Sequence, residues 1–384
     1  MNSFIFQTAR CIINEPGATS RLGEIAAGLG MSKVFLVSDN GIAKAGLLDK
    51  AVLGLRAGGM EVTVFTDVLA DPPESNVLDA LKLAREFGAD GVVGFGGGSS
   101  MDVAKLVAFL SRSAQSLPEI YGIGLAQGPR LPLIQVTTTA GTGSEVTPIA
   151  IVTTGEHEKK GVIAPQLLPD IALLDAELTI GLPPRVTAMT GIDAMVHAIE
   201  AYTTKLKKNP MSDILARQGL KLLFENIRAA VENGSDLEAR SQMLVGAMLT
   251  GQAFANAPVG AVHALAYPIG GQYHVPHGLS NALLLPHVMR FNLPVASREY
   301  AELARELFKV DGSLTDLAAG AMLISALEQL MADVKLETHL IQVGIEEEAL
   351  PRLAEAAMLQ TRLLGNNPRD VRYEDALQIY RDAW

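Results

Sequence analysis

The sequence GVVGFGGGSSMDVAK, residues 91–105, joins a short apolar run to three consecutive glycines and a helical pattern. We expect a strand over Gly91–Phe95, a turn at Gly96–Gly98 and a helix that begins near Ser99. Glycines let a backbone approach a ligand closely, and the free N–H groups at a helix N-terminus attract anions. Because a plain strand-to-helix turn usually needs one glycine, the three together favour a turn that holds a pyrophosphate.

Short β-branched runs recur on both sides of this segment, and helical patterns separate the early ones. Strands that alternate with helices predict a parallel sheet with helices on both faces. After Pro183-Pro184 the apolar residues recur every three or four positions, which is typical of helices. We therefore expect an α/β domain over residues 1–183 and an all-helical domain over residues 184–384. The expected strands are Val34–Val37, Val62–Phe65, Gly91–Phe95, Leu133–Val136, Ile149–Val152 and Ile171–Leu174, and the expected helices include Ile42–Arg56, Glu74–Phe87, Val186–Thr203, Ser212–Val231 and Asp236–Phe254.

The composition excludes several classes of protein. The chain has 384 residues, of which 48% are hydrophobic and 19% charged, and its net charge is −11. A single cysteine excludes a disulfide within the chain and a cysteine-based zinc or iron–sulfur site. An acidic chain is a poor binder of nucleic acid, and no apolar run reaches the ~18 residues of a membrane span. Its first residues lack the features of a signal peptide, so we expect a cytoplasmic protein without nucleic-acid or membrane partners.

Two further segments are candidates for a nucleotide site. Asp39 follows the expected strand Val34–Val37, and its carboxylate could accept hydrogen bonds from an adenosine ribose. The same charge would repel a 2′-phosphate and would favour NAD over NADP. A helix N-cap is the alternative role, and for Asp39 taken alone it is the more common one. The hydroxyl-rich stretch over residues 136–147 either lines a polar ligand or is a solvated loop.

Two segments of the second half carry candidate metal ligands. Asp193 and His197 lie four residues apart in an expected helix and therefore share one face. His263 and His277 flank a stretch, residues 268–276, whose prolines and glycines we expect to break the helix and let the chain fold back. One carboxylate and three imidazoles suit Fe²⁺ or Zn²⁺. Local hydrogen bonding is the alternative explanation for each segment alone.

Together these motifs resemble the iron-dependent (group III) alcohol dehydrogenase family. The resemblance covers nearly the whole chain, and the order and spacing of the motifs are highly specific. It implies a dinucleotide-binding α/β domain followed by a helical domain, the two-domain plan of dehydroquinate-synthase-like folds, and a homodimer or higher oligomer. The motifs are Gly96–Asp102 with Lys105, Thr137–Glu145, Gly191–His197 and His263 through His277-Gly278.

The resemblance implies two groups of site residues. Iron, or zinc in its place, would be held by Asp193, His197, His263 and His277. Contacts to the nicotinamide cofactor would come from Asp39, Gly96, Gly97, Gly98, Ser99, Asp102, Thr138, Thr139 and Thr142, with Lys159 or Lys160 as the cofactor-binding lysine.

One position departs from the family pattern. Many of these dehydrogenases carry a histidine four residues after the third ligand, in a proton-relay position, where this chain has Tyr267. A tyrosine, with a reference pKa of about 10, is a poorer base at neutral pH. A similar tyrosine resembles the branch that interconverts hydroxyacids and oxoacids. His274 is a second candidate relay, and the alternatives are a packed Tyr267 and a solvent-facing His274.

The resemblance implies reversible hydride transfer between NAD(H) and a small alcohol or aldehyde. A hydroxyacid–oxoacid transhydrogenase or another hydroxyacid dehydrogenase is the main alternative. A dehydroquinate-synthase-like lyase would need a basic pocket, and the stretch His263–His277 contains no arginine or lysine. A non-catalytic role is disfavoured because a relict site is free to lose its ligands.

Overall fold

The computed structural model describes residues 3–155, 158–310 and 313–384. The chain divides into two compact units, one formed by Gln7–Gly181 and one that joins Leu182–Trp384 to the N-terminal residues 3–6. His157, which the sequence gives no role in a site, lies outside the described residues.

The first unit is built on a six-stranded, fully parallel sheet in the order β1-β9-β6-β4-β2-β3. A separate three-stranded sheet has the order β5-β8-β7. The strands are β1 (Cys11–Asn14), β2 (Lys33–Val37), β3 (Glu61–Phe65), β4 (Gly91–Gly96), β5 (Gly122–Ile123), β6 (Leu133–Thr137), β7 (Ile149–Thr154), β8 (Glu158–Ile163) and β9 (Ile171–Leu174). The helices are α1 (Leu22–Gly28), α2 (Asn40–Lys44), α3 (Leu47–Ala57), α4 (Glu74–Phe87) and α5 (Gly98–Leu110).

Both faces of the parallel sheet are buried. Phe35 and Val37 of β2 belong to one apolar cluster, and Val34 and Leu36 belong to another. Because successive side chains of a strand point to opposite faces, these clusters lie on the two sides of the sheet. The predicted α/β architecture is therefore confirmed.

The strand order determines where a ligand can bind to this unit. From β2 the chain passes to β3 on one side and then returns to β4 on the other side. The direction of winding thus reverses between β2 and β4, and open α/β sheets bind ligands at the carboxyl ends of strands at such a switch point. Asp39 follows β2, and the turn Gly96–Gly98 follows β4.

Some local predictions for this unit are wrong. The expected helix Ile42–Arg56 is split at Gly46, whose φ of 72° is left-handed, because an α-helix cannot continue through that conformation. The expected strand at Ile149–Val152 exists, but β7 pairs antiparallel with β8 outside the main sheet. An apolar run in the sequence predicts a buried strand, but it does not predict which strand will pair with it.

The second unit is helical, as the sequence predicts. Helix α6 is buried on nearly all sides, so it forms the centre of the unit. The helices are α6 (Pro184–Thr203), α7 (Pro210–Glu232), α8 (Leu237–Asn256), α9 (Ala261–Tyr273), α10 (His277–Phe308), α11 (Asp316–Asp333), α12 (Leu350–Met358), α13 (Thr361–Leu364) and α14 (Tyr373–Ala383). No helix within the described residues combines the length and apolar character needed to cross a membrane.

The break before His277 is later than the sequence predicts. Helix α9 continues through Pro268, Gly270 and Gly271 and ends at Tyr273, and the next residue, His274, has a left-handed φ of 54°. A proline inside a helix removes one backbone hydrogen bond, and here the surrounding buried side chains keep the helix intact. The chain therefore turns over His274–Pro276 alone, and α10 begins at His277.

The start of α10 lies directly on the backbone of α6. A β-carbon built on Gly278 would lie 2.5 Å from the carbonyl oxygen of Met189 and 3.3 Å from Cβ of Asp193. Only a glycine allows this approach, so Gly278 brings His277 to the helix that carries Asp193 and His197.

We expect Gly278→Ala to lower the free energy of unfolding by about 1–3 kcal/mol, because the added methyl group meets backbone atoms that cannot move aside. Urea unfolding followed by circular dichroism measures the change. Gly28→Ala in α1 is the control, since no heavy atom lies within 4 Å of its added β-carbon. A wild-type unfolding midpoint for Gly278→Ala would contradict the close packing of α10 on α6.

Candidate metal centre and nucleotide turn

Three helices of the second unit bring four potential metal ligands together. Asp193 and His197 lie one turn apart on α6, His263 lies in the first turn of α9, and His277 begins α10. Their candidate ligand atoms all lie within 4.8 Å of one another. The first three residues are buried, and His277 is partly exposed. The structure therefore assembles the predicted set of one carboxylate and three imidazoles.

Glu200, which the sequence analysis missed, orients His263. Its buried carboxylate accepts hydrogen bonds from the N–H of Val262 at 2.7 Å and from Nδ1 of His263 at 2.6 Å. The proton on Nδ1 leaves the lone pair on Nε2 for the ligand cluster. Burial lowers the pKa of His263, but the charge and hydrogen bond of Glu200 outweigh that effect and raise the pKa. Glu200 follows His197 by three residues, so the helical period of α6 was the available signal.

Asn281 is a second residue that the sequence analysis missed. Its buried Nδ2 donates a hydrogen bond to Oδ1 of Asp193 at 2.6 Å and lies 3.2 Å from Nε2 of both His263 and His277. Burial raises the pKa of Asp193, but the three imidazoles and Asn281 outweigh it and hold the pKa below its usual value. The Asp193 carboxylate is therefore anionic at neutral pH.

Aromatic rings surround the cluster. The ring of Phe254 stacks on His197 with centroids 4.3 Å apart, and the rings of His197 and His263 stack at 4.9 Å. Tyr267, one turn beyond His263, has its ring 6.0 Å from that of His277. The structure thus places Tyr267 beside the candidate ligands and places His274 at the exposed end of α9.

The cluster fits a divalent cation. A buried carboxylate needs a compensating charge, and nitrogen lone pairs that face one another across less than 5 Å repel unless a proton or a cation lies between them. One oxygen and three imidazole nitrogens are a donor set that Fe²⁺ and Zn²⁺ accept.

In the first unit, Asp39 caps a helix and also contacts the glycine-rich segment. Its Oδ1 accepts hydrogen bonds from the N–H groups of Gly41 at 2.8 Å and Ile42 at 3.0 Å, which makes it the N-cap of α2. Its Oδ2 accepts a hydrogen bond from Ser100 Oγ at 3.2 Å. Asp39 can therefore cap α2 and contact the glycine-rich segment at the same time, because Oδ1 makes the first contact and Oδ2 makes the second.

Two of the three glycines in the turn, Gly96 and Gly98, are packed too closely for side chains. Gly96 has a φ of 148°, and a β-carbon there would lie 2.8 Å from Ser100 Oγ. A β-carbon on Gly98 would lie 2.9 Å from Cγ2 of Thr142. The N–H of Thr138 donates to the carbonyl of Gly96 at 3.0 Å. The segment 138–142 after β6 therefore lies against the turn after β4.

The remaining predicted cofactor residues have varied surroundings. Gly97, Ser99, Thr139 and Thr142 are partly exposed at this turn, whereas Thr138 is buried. Asp102 uses both carboxylate oxygens within the protein. On β8, Lys159 pairs with Asp71 at 2.7 Å and Lys160 pairs with Glu158 at 3.3 Å. Contacts from these residues to a cofactor stay predictions.

Comparison with known proteins identifies the family. The family described as iron-containing alcohol dehydrogenase matches residues 9–176, and the Fe-containing alcohol dehydrogenase family, C-terminal, matches residues 187–384. The chain is 40% identical over 371 residues to long-chain-alcohol dehydrogenase 1 of Geobacillus thermodenitrificans (strain NG80-2), which covers 96% of this chain and 93% of that protein.

Solved structures give the same result. A 1,3-propanediol oxidoreductase matches with a TM-score of 0.96 and 37% identity over 100% of both chains. The sulfoacetaldehyde reductase from Bifidobacterium kashiwanohense in complex with NAD⁺ matches with a TM-score of 0.89 and 28% identity, over 100% of this chain and 99% of that chain.

The fold and the Asp–His cluster thus define an oxidoreductase of the alcohol dehydrogenase class. The chain belongs to the iron-containing alcohol dehydrogenase family, which confirms the resemblance found in the sequence. The dehydroquinate-synthase-like lyase is not supported, because both halves of the chain match dehydrogenases.

We expect Glu200→Gln to weaken Fe²⁺ and Zn²⁺ binding by roughly 10- to 100-fold, because the neutral amide no longer fixes the ring and charge of His263. Competition with a chelator of known affinity measures this without any assay of activity. Glu328→Gln, which removes a carboxylate paired with Arg290 on the surface, is the control with the same charge change. Equal metal affinity in both variants would exclude an orienting role for Glu200.

Proposed function

We propose that this protein catalyses reversible hydride transfer between NAD(H) and a small alcohol or aldehyde. The observation that carries the proposal is the cluster of Asp193, His197, His263 and His277, of which the first three are buried. These four residues would hold Fe²⁺, with Zn²⁺ as the alternative. A divalent ion there supplies Lewis acidity toward the oxygen of the substrate.

The surrounding residues favour a small, weakly polar substrate. Phe254 covers one face of His197 and gives the site an apolar wall. Tyr267, whose ring centroid lies 6.0 Å from that of His277, is the candidate residue for accepting or returning the proton of the substrate hydroxyl. Asn281 stabilises the anionic form of Asp193 by donating a hydrogen bond to it, and the hydrogen bond to Glu200 favours one tautomer of His263.

The α/β unit would bind the cofactor at the switch point between β2 and β4. The free N–H groups at the start of α5 suit the pyrophosphate, and Asp39 suits the adenosine ribose. The NAD⁺ complex of the related sulfoacetaldehyde reductase supports NAD as the cofactor, with NADP less favoured. The homo-oligomeric state and the cytoplasmic location expected from the sequence are parts of the same proposal.

Tyr267 favours a second candidate function, the oxidation of a hydroxyacid. If a hydroxyacid is the substrate, the protein would be a hydroxyacid–oxoacid transhydrogenase or a hydroxyacid dehydrogenase. A screen of alcohols, hydroxyacids and aldehydes with NAD(H) separates these functions. A transhydrogenase would exchange hydride between a hydroxyacid and an oxoacid without releasing NADH.

We expect His263→Ala to lose metal binding and turnover while the protein stays folded, because the mutation removes one of four ligands. The readouts are metal content after anaerobic loading with Fe²⁺, NADH formation and circular dichroism. His339→Ala is the control, since His339 is exposed and its Nδ1 lies 2.9 Å from Oγ1 of Thr338, outside the Asp–His cluster. A metal-free His263→Ala enzyme with wild-type activity would refute the proposal.

We expect Asp39→Asn to raise the use of NADP relative to NAD, because it removes the charge that repels a 2′-phosphate. Asparagine is also a good N-cap, so the start of α2 is preserved. The ratio of kcat/KM for the two cofactors is the measurement, and Asp49→Asn, at an exposed position of α3, is the control. An unchanged ratio would remove Asp39 from the ribose site.

A further inference from the structure

Lys105 is a fully buried lysine that the proposed reaction does not use. It lies on α5, two helical turns after Gly98, and its side chain has no exposed surface. Its Nζ donates hydrogen bonds to Ser144 Oγ and to the carbonyl of Ile149, both at 2.6 Å, and it lies 3.3 Å from Thr147 Oγ1. A lysine is rarely buried in this way unless its hydrogen bonds are needed.

Asp102 completes this arrangement from the preceding turn of α5. Its Oδ1 accepts a hydrogen bond from Ser144 Oγ at 2.6 Å and lies 3.4 Å from Nζ of Lys105. Its Oδ2 accepts a hydrogen bond from the N–H of Ile151 at 2.9 Å. The two side chains therefore tie α5 to the turn at Ser144 and to the first residues of β7.

These contacts fix the relative position of two segments of the proposed nucleotide site. Helix α5 begins at Gly98, so its first turn is continuous with the glycine turn. Ser144 follows Thr142 by two residues, and Thr142 packs directly against Gly98. A displacement of Ser144 would therefore move the segment 138–142 away from the turn Gly96–Gly98.

We propose that Lys105 and Asp102 are positioning residues, which hold the segment 138–142 against the turn Gly96–Gly98 so that both can bind one dinucleotide. The inference rests on the proposed NAD-dependent function. It gives Asp102 a positioning role beside the direct cofactor contact that the family resemblance implies, because Ser144 Oγ and the N–H of Ile151 each donate to one of its carboxylate oxygens.

Lys105→Met keeps most of the buried volume and removes the donors. We expect the Kd for NADH and the KM for NAD⁺ to rise roughly tenfold or more, because Ser144 and the carbonyl of Ile149 lose their shared partner. The kcat at saturating NAD⁺ should change less than about twofold, since the substrate and the nicotinamide are untouched. Fe²⁺ affinity should equal that of the wild type, because the four ligands lie on helices of the other unit.

Lys50→Met is the matched control, because it removes the same charge from an exposed ion pair with Glu177 in the same unit. Its Kd for NADH should equal that of the wild type. Ser144→Ala is a milder second variant in case Lys105→Met does not fold, and it should raise the Kd for NADH several-fold. Circular dichroism and thermal unfolding identify the folded variants.

The outcomes separate the two ideas. If the wild-type protein binds neither NADH nor NADPH, the proposed function is wrong and the positioning role fails with it. If the wild type binds NADH, and folded Lys105→Met or Ser144→Ala binds it equally tightly, only the positioning role is wrong. A fall in kcat with unchanged KM would also overturn it, because that result would place Lys105 in the chemistry and not in cofactor binding.

Discussion

The helical unit depends on the meeting of one buried carboxylate with three imidazoles. Asp193 is excluded from water, and a carboxylate in such a place is stable only where donors and positive charge surround it. Asn281 supplies one donor, and the histidines approach from α6, α9 and α10. The same contacts therefore fix the positions of these three helices and determine the chemistry of the site. Gly278 makes the close approach of α10 to α6 sterically possible.

In the α/β unit the main constraint is different, because the proposed nucleotide site requires a polar ligand to approach backbone N–H groups closely. The reversal of winding between β2 and β4 separates two crossovers and exposes the carboxyl ends of the strands. Gly96 and Gly98 leave room for the neighbouring segments, and we propose that the buried contacts of Lys105 and Asp102 hold those segments in position. Pre-organised loops of this kind lose less conformational entropy when a ligand binds.

Sequence patterns predicted the elements best where a local signal was strong. Helix Glu74–Phe87 has the bounds that its amphipathic period predicts, and strand Ile171–Leu174 has those of its apolar run. The same reasoning failed at Gly46, where a left-handed residue divides a helix, and at Pro268, where packing overrides a helix breaker. It predicted the strand at Ile149–Val152 but not its antiparallel pairing with β8 outside the main sheet, because periodicity does not identify a strand's partner.

The sequence by itself determined the class of each half, the glycine turn and the four candidate metal ligands, because these depend on residue type and short spacing. Only the tertiary structure decided which groups support them. Glu200 and His263 are 63 residues apart in the chain, and Lys105 and Ile149 are 44 apart. The helical period of α6 places Glu200 near His197, but a single sequence does not show that Glu200 pairs with His263 or that Lys105 pairs with Ile149, because these contacts form only when the chain folds.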